Sequence, residues 1–446
     1  MKSSTNRHWK RILLWAVLIT VIYIVYTIYA EWRGLSRMHY VGYDYVFFYY
    51  AFQAVIHHGT SWVNLYNMKS EQMFLAHYHF PLQPYNQYVY PPQFAWLFSV
   101  YGLLPFYLSS ALWMLTSAIL YFCGVFWALR IVWPRIRRIH LLVAFLLAAV
   151  MTPFQVDIGV GNVNSILFSA VCLTFYLLYN QKKAALAGIP LGIAVLIKVT
   201  PVAILIVFLL RGQWKVCRWA AIVVAVSTIA SSLFVGVSPI FNYALHFSSF
   251  GRTSMQNGPA PYNQSIVGVL GMFQQHHWID GSSSIQFGIF ILFVGFSLWA
   301  IYFALRRTHS ADVRLDFALS SLTPLIFSPL IEEAHMVFVM PALLVFTRMA
   351  YEAYRKKTKR GLYASVIITW VTGISILLMS LPATFALNYL TSHFPHLFWI
   401  HIQMFVVLIA VFSITLWLYQ QQLTSSSPII RYRGQTKSPF RINRPS

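Results

Sequence analysis

Long apolar runs, with short clusters of Lys or Arg between many of them, repeat along almost the whole chain. A helix needs about 20 mostly apolar residues to cross the hydrocarbon of a bilayer. Read this way, the pattern predicts spans near residues 12–30, 106–129, 140–151, 164–179, 216–237, 285–305, 315–331, 335–346, 362–381 and 397–419. Basic residues concentrate in cytoplasmic loops. That rule places Lys10-Arg11, Arg130 to Arg138, Lys182-Lys183, Arg211 to Arg218, Arg306-Arg307 and Arg355 to Arg360 inside. The run 12–30 is long enough to span and carries Tyr23, Tyr26 and Tyr29 where a signal peptide needs small residues, so it reads as a retained first helix.

One stretch breaks the alternation. Residues 184–210 would make a single helix about 40 Å long, yet both flanks are basic. Two short half-helices broken at Lys198-Val199-Thr200-Pro201, with both ends inside, fit better, because proline disfavours helix in the residue before it. The expected fold is all-α: a polytopic transmembrane helical bundle of about 11–13 helices by this length criterion. It fills residues 1–420, with two extracytoplasmic segments, 31–93 and 238–284, that carry interfacial helices, and a basic tail, 421–446, that reads as disordered and cytoplasmic. Both termini fall inside.

Composition supports lipid as the solvent. The 446 residues are 58% hydrophobic and only 9% charged, against about 25% charged in soluble proteins. The net charge of +22 comes from the loop clusters, so it marks topology and contact with anionic lipids rather than nucleic acid. Cys123, Cys172 and Cys217 lie in apolar runs without pairing or metal spacing and read as small core residues. No phosphate-binding glycine loop, dinucleotide fingerprint or serine-nucleophile motif is present. Paired histidines (His57-His58, His77 with His79, His276-His277) lack matching acid or cysteine partners, so no metal site and no cofactor are expected.

The acids then become informative. Asp312, Asp316 and Glu352 fall among bases in cytoplasmic loops, whereas Glu31, Asp44, Glu71, Asp157, Asp280, Glu332 and Glu333 fall at the outer ends of spans. Few bases accompany them: Arg33, Arg37, Lys69 and Arg252, with Lys198 at the break. Outer acids among aromatics suit polyol recognition and acid/base chemistry, although acids are also simply exempt from the positive-inside rule. Asp44 stands apart, inside Tyr43-Asp44-Tyr45-Val46-Phe47-Phe48-Tyr49-Tyr50. Aromatic surroundings raise a carboxyl pKa and suit it to general base work; capping an interfacial helix is the structural alternative. Lys198 is an isolated cation in an apolar run, which by default marks a functional site unless the side chain snorkels.

Asn162 and Asn164, in Asp157-Ile158-Gly159-Val160-Gly161-Asn162-Val163-Asn164, sit where a helix starts. They can bind hydroxyls or anions there, or cap the helix. Glu332-Glu333 and His335 follow Ser328-Pro329 at another outer turn.

Taken in order, Asp44 and the run 59–66, Tyr88-Val89-Tyr90-Pro91-Pro92 with Leu104-Pro105, Gly161-Asn162-Val163-Asn164, Ala187-Gly188 with Lys198-Val199-Thr200-Pro201, and Asn263-Gln264-Ser265-Ile266 followed by Ser328-Pro329 and His335 resemble the GT-C superfamily of polytopic glycosyltransferases. Within it they are similar to glycosyltransferase family 87. The resemblance implies a membrane enzyme that moves a hexose such as mannose, with inversion, from a polyprenyl-phosphate donor to a hydroxyl of a glycolipid or glycan acceptor at the extracytoplasmic face. Asp44 would be the base. Lys198 and Arg252 would meet the leaving phosphate, Asn162, Asn164, Asn263, Tyr90 and Glu332 would bind and orient the substrates, and His335 would join Asp44 as a catalytic residue. Family members more often carry an aromatic and paired histidines where this chain has Glu332-Glu333. A transporter or lipid flippase is the alternative, since broken helices and buried charges serve carriers too.

Overall fold

The computed structural model describes residues 42–58, 65–80, 88–245, 263–279, 283–308, 312–356, 358–380 and 400–424. The first predicted span, Arg252, Asp280 and the basic tail lie outside the described residues. Every regular element among the described residues is a helix. In chain order these are α1 (Tyr43–His58), α2 (Met68–His77), α3 (Pro92–Leu97), α4 (Phe106–Val132), α5 (Arg138–Ala149), α6 (Thr152–Val160), α7 (Asn164–Phe175) and α8 (Ala184–Ile197). Next come α9 (Val202–Leu210), α10 (Trp214–Val235), α11 (Ile266–Gln275), α12 (Ser283–Arg307), α13 (Val313–Ile326), α14 (Met340–Arg355), α15 (Lys359–Met379) and α16 (Gln403–Thr424).

Among the described residues, α4, α10, α12, α15, α16 and the run Glu333–Arg355 are long and apolar enough to cross a membrane. The chain is a multi-pass membrane protein. Its exposed apolar residues agree: Leu233 is 80% exposed and Leu292 74%, positions that only a lipid solvent tolerates in such numbers. The span expected at 140–151 is instead a bent pair, α5 and α6, meeting at 60°. Pro153 at the start of α6 explains the bend, since it has no N–H for a continuous ladder.

Residues 184–210 form two helices, as their basic flanks implied. Lys198 adopts an extended conformation that ends α8, and Pro201 opens α9. The direction of each half follows from packing. A Cβ on Gly188 would sit 2.6 Å from the Val216 carbonyl, and one on Gly192 would sit 2.8 Å from the Ala220 carbonyl. The contacts advance in the same sense on α8 and α10, so these two helices run parallel and closely packed. Since α10 begins just after α9 ends, α9 must return to the side from which α8 rose. The result is a re-entrant hairpin with Lys198 at its tip.

An ion cluster anchors the hairpin's base. Arg211, after α9, donates to both oxygens of Asp316 at 2.8–3.0 Å and to the carbonyls of Leu305 and Thr308 at 2.9 and 2.6 Å. Tyr419 donates to the same carboxylate at 2.6 Å. The pair is nearly fully buried. Asp312, Asp316 and Glu352 are therefore not loop acids. Asp312 caps α13, Asp316 lies in its first turn, and Glu352 on α14 pairs with Arg314 and Arg348.

Candidate active site

Asp44 lies in the first turn of α1. The helix presents its aromatic faces to a core of Trp113, Phe94 and Phe106, which bury Tyr45, Phe48 and Phe52. Asp44 itself keeps a partly exposed edge. The turn that meets it is built around Gly161, whose φ of +74° favours glycine. A Cβ at Gly161 would also fall 2.7 Å from the Tyr45 Cβ, so only glycine lets α1 approach. Trp113 Nε1 donates to the Gly161 carbonyl at 2.8 Å, and Gly42 N donates to the Gly159 carbonyl at 2.9 Å.

The next residue points inward. Asn162 Nδ2 donates to Asp44 Oδ2 at 2.6 Å, while its Oδ1 accepts from Val163 N at 2.6 Å and from the Tyr90 hydroxyl at 3.3 Å. Asn164 does something different. Its Nδ2 donates to Asp157 Oδ1 at 3.0 Å, and Asp157 also accepts from the backbone N–H groups of Asn164 and Ser165 at 3.2 and 2.8 Å. Both residues are fully buried. Asp157 thus caps the start of α7, where N–H groups lack helical partners, and Asn164 belongs to that cap rather than to the surface beside Asp44.

Lys198 reaches the cluster from the hairpin tip. Its Nζ stands 5.6 Å over the Tyr90 ring and 2.7 Å from His335 Nε2. His335 is oriented by a reciprocal cap. Glu332 N donates to His335 Nδ1 at 3.0 Å, and the Glu332 side chain accepts from the His335 backbone. The Glu332 side chain remains 47% exposed.

This loop is held by Asn263, whose Nδ2 donates to the Pro329 carbonyl at 2.9 Å and whose Oδ1 accepts from Ile331 N at 3.1 Å. Ser265 Oγ donates to the same Pro329 carbonyl at 2.7 Å. Asn263 is fully buried; it shapes the loop carrying Glu332 and His335. Of the residues singled out in the sequence, then, Asp44, Tyr90, Asn162, Lys198, Glu332 and His335 come together, Asn164 and Asn263 stand behind them as scaffolding, and Arg252 lies outside the described residues.

Electrostatics set the character of Asp44. Protein encloses it on most sides, and that burial, with the Glu332 carboxylate nearby, pushes its carboxyl up to about 8; the Asn162 hydrogen bond and the Lys198 charge oppose the rise. A carboxyl poised near neutral pH accepts a proton from a hydroxyl more readily than an ordinary aspartate. The Lys198 amine stands on the same cluster, beside the Tyr90 ring and His335. Among the described residues no group of three or more His, Cys, Asp or Glu is placed to hold a metal ion.

The model of glycosyltransferase family 87 matches residues 88–329, over half of the chain. Asn162 and Lys198 fall inside the match; Asp44, Glu332 and His335 fall outside it. The chain is also 22% identical over 322 residues to the polyprenol-phosphate-mannose-dependent alpha-(1-2)-phosphatidylinositol mannoside mannosyltransferase of Mycobacterium tuberculosis, covering 67% of this chain and 71% of that protein. No solved structure matches.

Proposed function

The chain belongs to glycosyltransferase family 87, and from that premise we propose that it transfers mannose from a polyprenyl-phosphate donor to a hydroxyl of a glycolipid acceptor at the extracytoplasmic face, with Asp44 as the base. Membership makes it a membrane glycosyltransferase rather than a carrier. The donor and the acceptor class come from the name of the mycobacterial relative. The face is inferred from the basic loop clusters, whose pattern favours both termini and the Arg211–Asp316 anchor on the cytoplasmic side.

In this reading the acceptor hydroxyl gives its proton to Asp44 while its oxygen forms a bond to the anomeric carbon. The bond from that carbon to the donor phosphate oxygen breaks on the opposite face, so the configuration inverts. Polyprenyl phosphate leaves with the extra negative charge, which Lys198 offsets, with Arg252 as a second cation. Asn162 fixes the Asp44 carboxylate and the Tyr90 hydroxyl fixes Asn162. Glu332, open and adjacent, binds sugar hydroxyls, and His335, whose Nδ1 accepts from Glu332 N, turns its Nε2 toward Lys198.

The observation that carries this reading is the convergence of Asp44, held by Asn162 at 2.6 Å, and Lys198, held by His335 at 2.7 Å, on the two sides of Tyr90. The test uses purified protein in nanodiscs with polyprenyl-phosphate mannose and phosphatidylinositol mannoside acceptors. Wild type should form a mannosylated product, and Asp44→Asn should lose transfer while still folding. Retained transfer by Asp44→Asn sinks the assignment of the base.

A further inference from the structure

Glu71 has no part in the chemistry above, yet it is a carboxylic acid that is only 1% exposed. It sits in the first turn of α2, a short helix capped by Asn67, whose side chain accepts from Lys69 N and Ser70 N. An acid on so polar a helix would ordinarily face solvent. Burying it costs free energy unless it has a partner, and its partner is specific: Oε1 accepts from Tyr88 N at 2.7 Å. Tyr88 lies in the non-helical residues just before α3, and its buried backbone donor must be satisfied somehow. Burial pushes the Glu71 carboxyl up to about 8, with the Tyr88 bond opposing.

The same stretch receives other ties from the same part of the chain. The Tyr66 hydroxyl donates to the Tyr90 carbonyl at 2.9 Å, and the Tyr88 hydroxyl donates to the Pro91 carbonyl at 3.1 Å. The Tyr66 and Tyr88 rings lie 5.8 Å apart at 31°. All of these bonds fix a short piece of backbone whose one site-facing side chain is Tyr90. That side chain touches both halves of the cluster, Asn162 through its hydroxyl and Lys198 through its ring face.

We infer that Glu71, together with Tyr66, is a positioning residue that sets the place of Tyr90 and through it the relation of Asp44 to Lys198. This inference rests on the reaction proposed above. Neither residue touches substrate. The role demands a hydrogen-bond acceptor at position 71 rather than a charge, which separates it from an electrostatic or catalytic one. Catalytic geometry is sensitive at this scale, since a misplacement of about 1 Å can cost on the order of a hundredfold in rate.

The experiment is a double-mutant cycle on full-length protein in nanodiscs, with polyprenyl-phosphate mannose as donor. Glu71→Gln keeps the acceptor and should hold kcat within about threefold of wild type, whereas Glu71→Leu should lower kcat by about tenfold or more with both KM values little changed. In a Tyr90→Ala background Glu71→Leu should add almost nothing, because the residue it positions is gone. Tyr66→Phe, which removes one hydroxyl, runs through the same cycle and serves if Glu71→Leu does not fold. Effects that multiply in the Tyr90→Ala background overturn the inference, as does a Glu71→Gln protein as slow as Glu71→Leu. Absence of transfer by wild type overturns the reaction and the inference with it; transfer by wild type with independent effects overturns the inference alone.

Discussion

Replacing Asn162 by leucine, whose side chain has the same number and branching of heavy atoms, removes the amide that donates to Asp44 Oδ2 at 2.6 Å. That bond favours the ionised carboxylate and opposes the burial that holds Asp44 near 8. Hydrogen bonds to charged groups are worth about 1.5–3 kcal/mol, and about 1.4 kcal/mol corresponds to one pKa unit. Loss of the amide should therefore raise the Asp44 pKa by about one to two pH units. The proposed transfer needs Asp44 ionised, so the wild-type rate should rise with pH and level off above about 8. In Asn162→Leu the same limb should move to higher pH. A base of higher pKa is intrinsically stronger and recovers part of the rate, so the midpoint of the limb is a cleaner readout than the rate at one pH. The assay is kcat/KM for mannose transfer in nanodiscs across that range. Tyr90→Phe is the control: it removes the 3.3 Å bond to Asn162 Oδ1 and leaves the Asp44 bond in place, so its limb should stay near that of wild type. A folded Asn162→Leu whose limb is unmoved, or moves to lower pH, would refute Asp44 as the titrating base.

Breaking the Arg211–Asp316 pair should be costly wherever the reaction occurs. Asp316→Asn and Arg211→Ala each leave a buried polar or charged group unpaired, and thermal unfolding in detergent should show a loss of about 3–5 kcal/mol for Arg211→Ala. Tyr419→Phe, which removes one hydroxyl that donates to the Asp316 carboxylate, should cost about 1.5–3 kcal/mol. Gly188→Ala puts a methyl 2.6 Å from the Val216 carbonyl and the Trp219 Cβ; forcing α8 from α10 should lower both the melting temperature and transfer, while alanine at open Gly288 should do neither. The Glu71 carboxyl titrates near 8 in the folded protein but near about 4.3 in the unfolded chain. Between those values the folded state holds a proton that the unfolded chain has released, so stability falls as pH rises. Glu71→Gln should flatten that part of the melting-temperature profile, and an unchanged slope would contradict the buried protonated acid.

Much of the architecture was legible because lipid imposes a strict rule on the sequence: apolar runs span, and bases mark one side. The break at Lys198 could be read for the same reason, since bases on both flanks of 184–210 demand an even number of crossings of that half of the bilayer. Asp44 was found by its aromatic setting. Asn162 and Asn164, by contrast, look alike in sequence, and only the left-handed Gly161 and the Asp157 cap decide that one faces Asp44 and the other the start of α7. Asn263 is a similar case, because its partners at Pro329 and Ile331 are distant in the chain. Asp316 looked like a loop acid among bases, and nothing local reveals that Arg211 and Tyr419 enclose it. Glu71 was invisible as a positioning residue because the polar helix around it reads as a solvated face; its partner, Tyr88 N, is a backbone group that leaves no trace in the sequence.

The re-entrant hairpin also fixes a depth. Its rising arm, α8, has 14 residues, which at about 1.5 Å each raises Lys198 roughly 21 Å above the arm's base. The hydrocarbon layer is roughly 30 Å thick, so even an upright arm leaves the lysine several ångströms short of the opposite lipid surface. In the proposed reaction, with the arm's base at the near edge of the hydrocarbon, a phosphate meeting Lys198 would dip below the heads of neighbouring lipids. Longer acyl chains would sink the meeting point further, and shorter ones would bring it to head-group level. In the proposed reaction the thickness of the surrounding bilayer should then act on turnover without altering a single side chain.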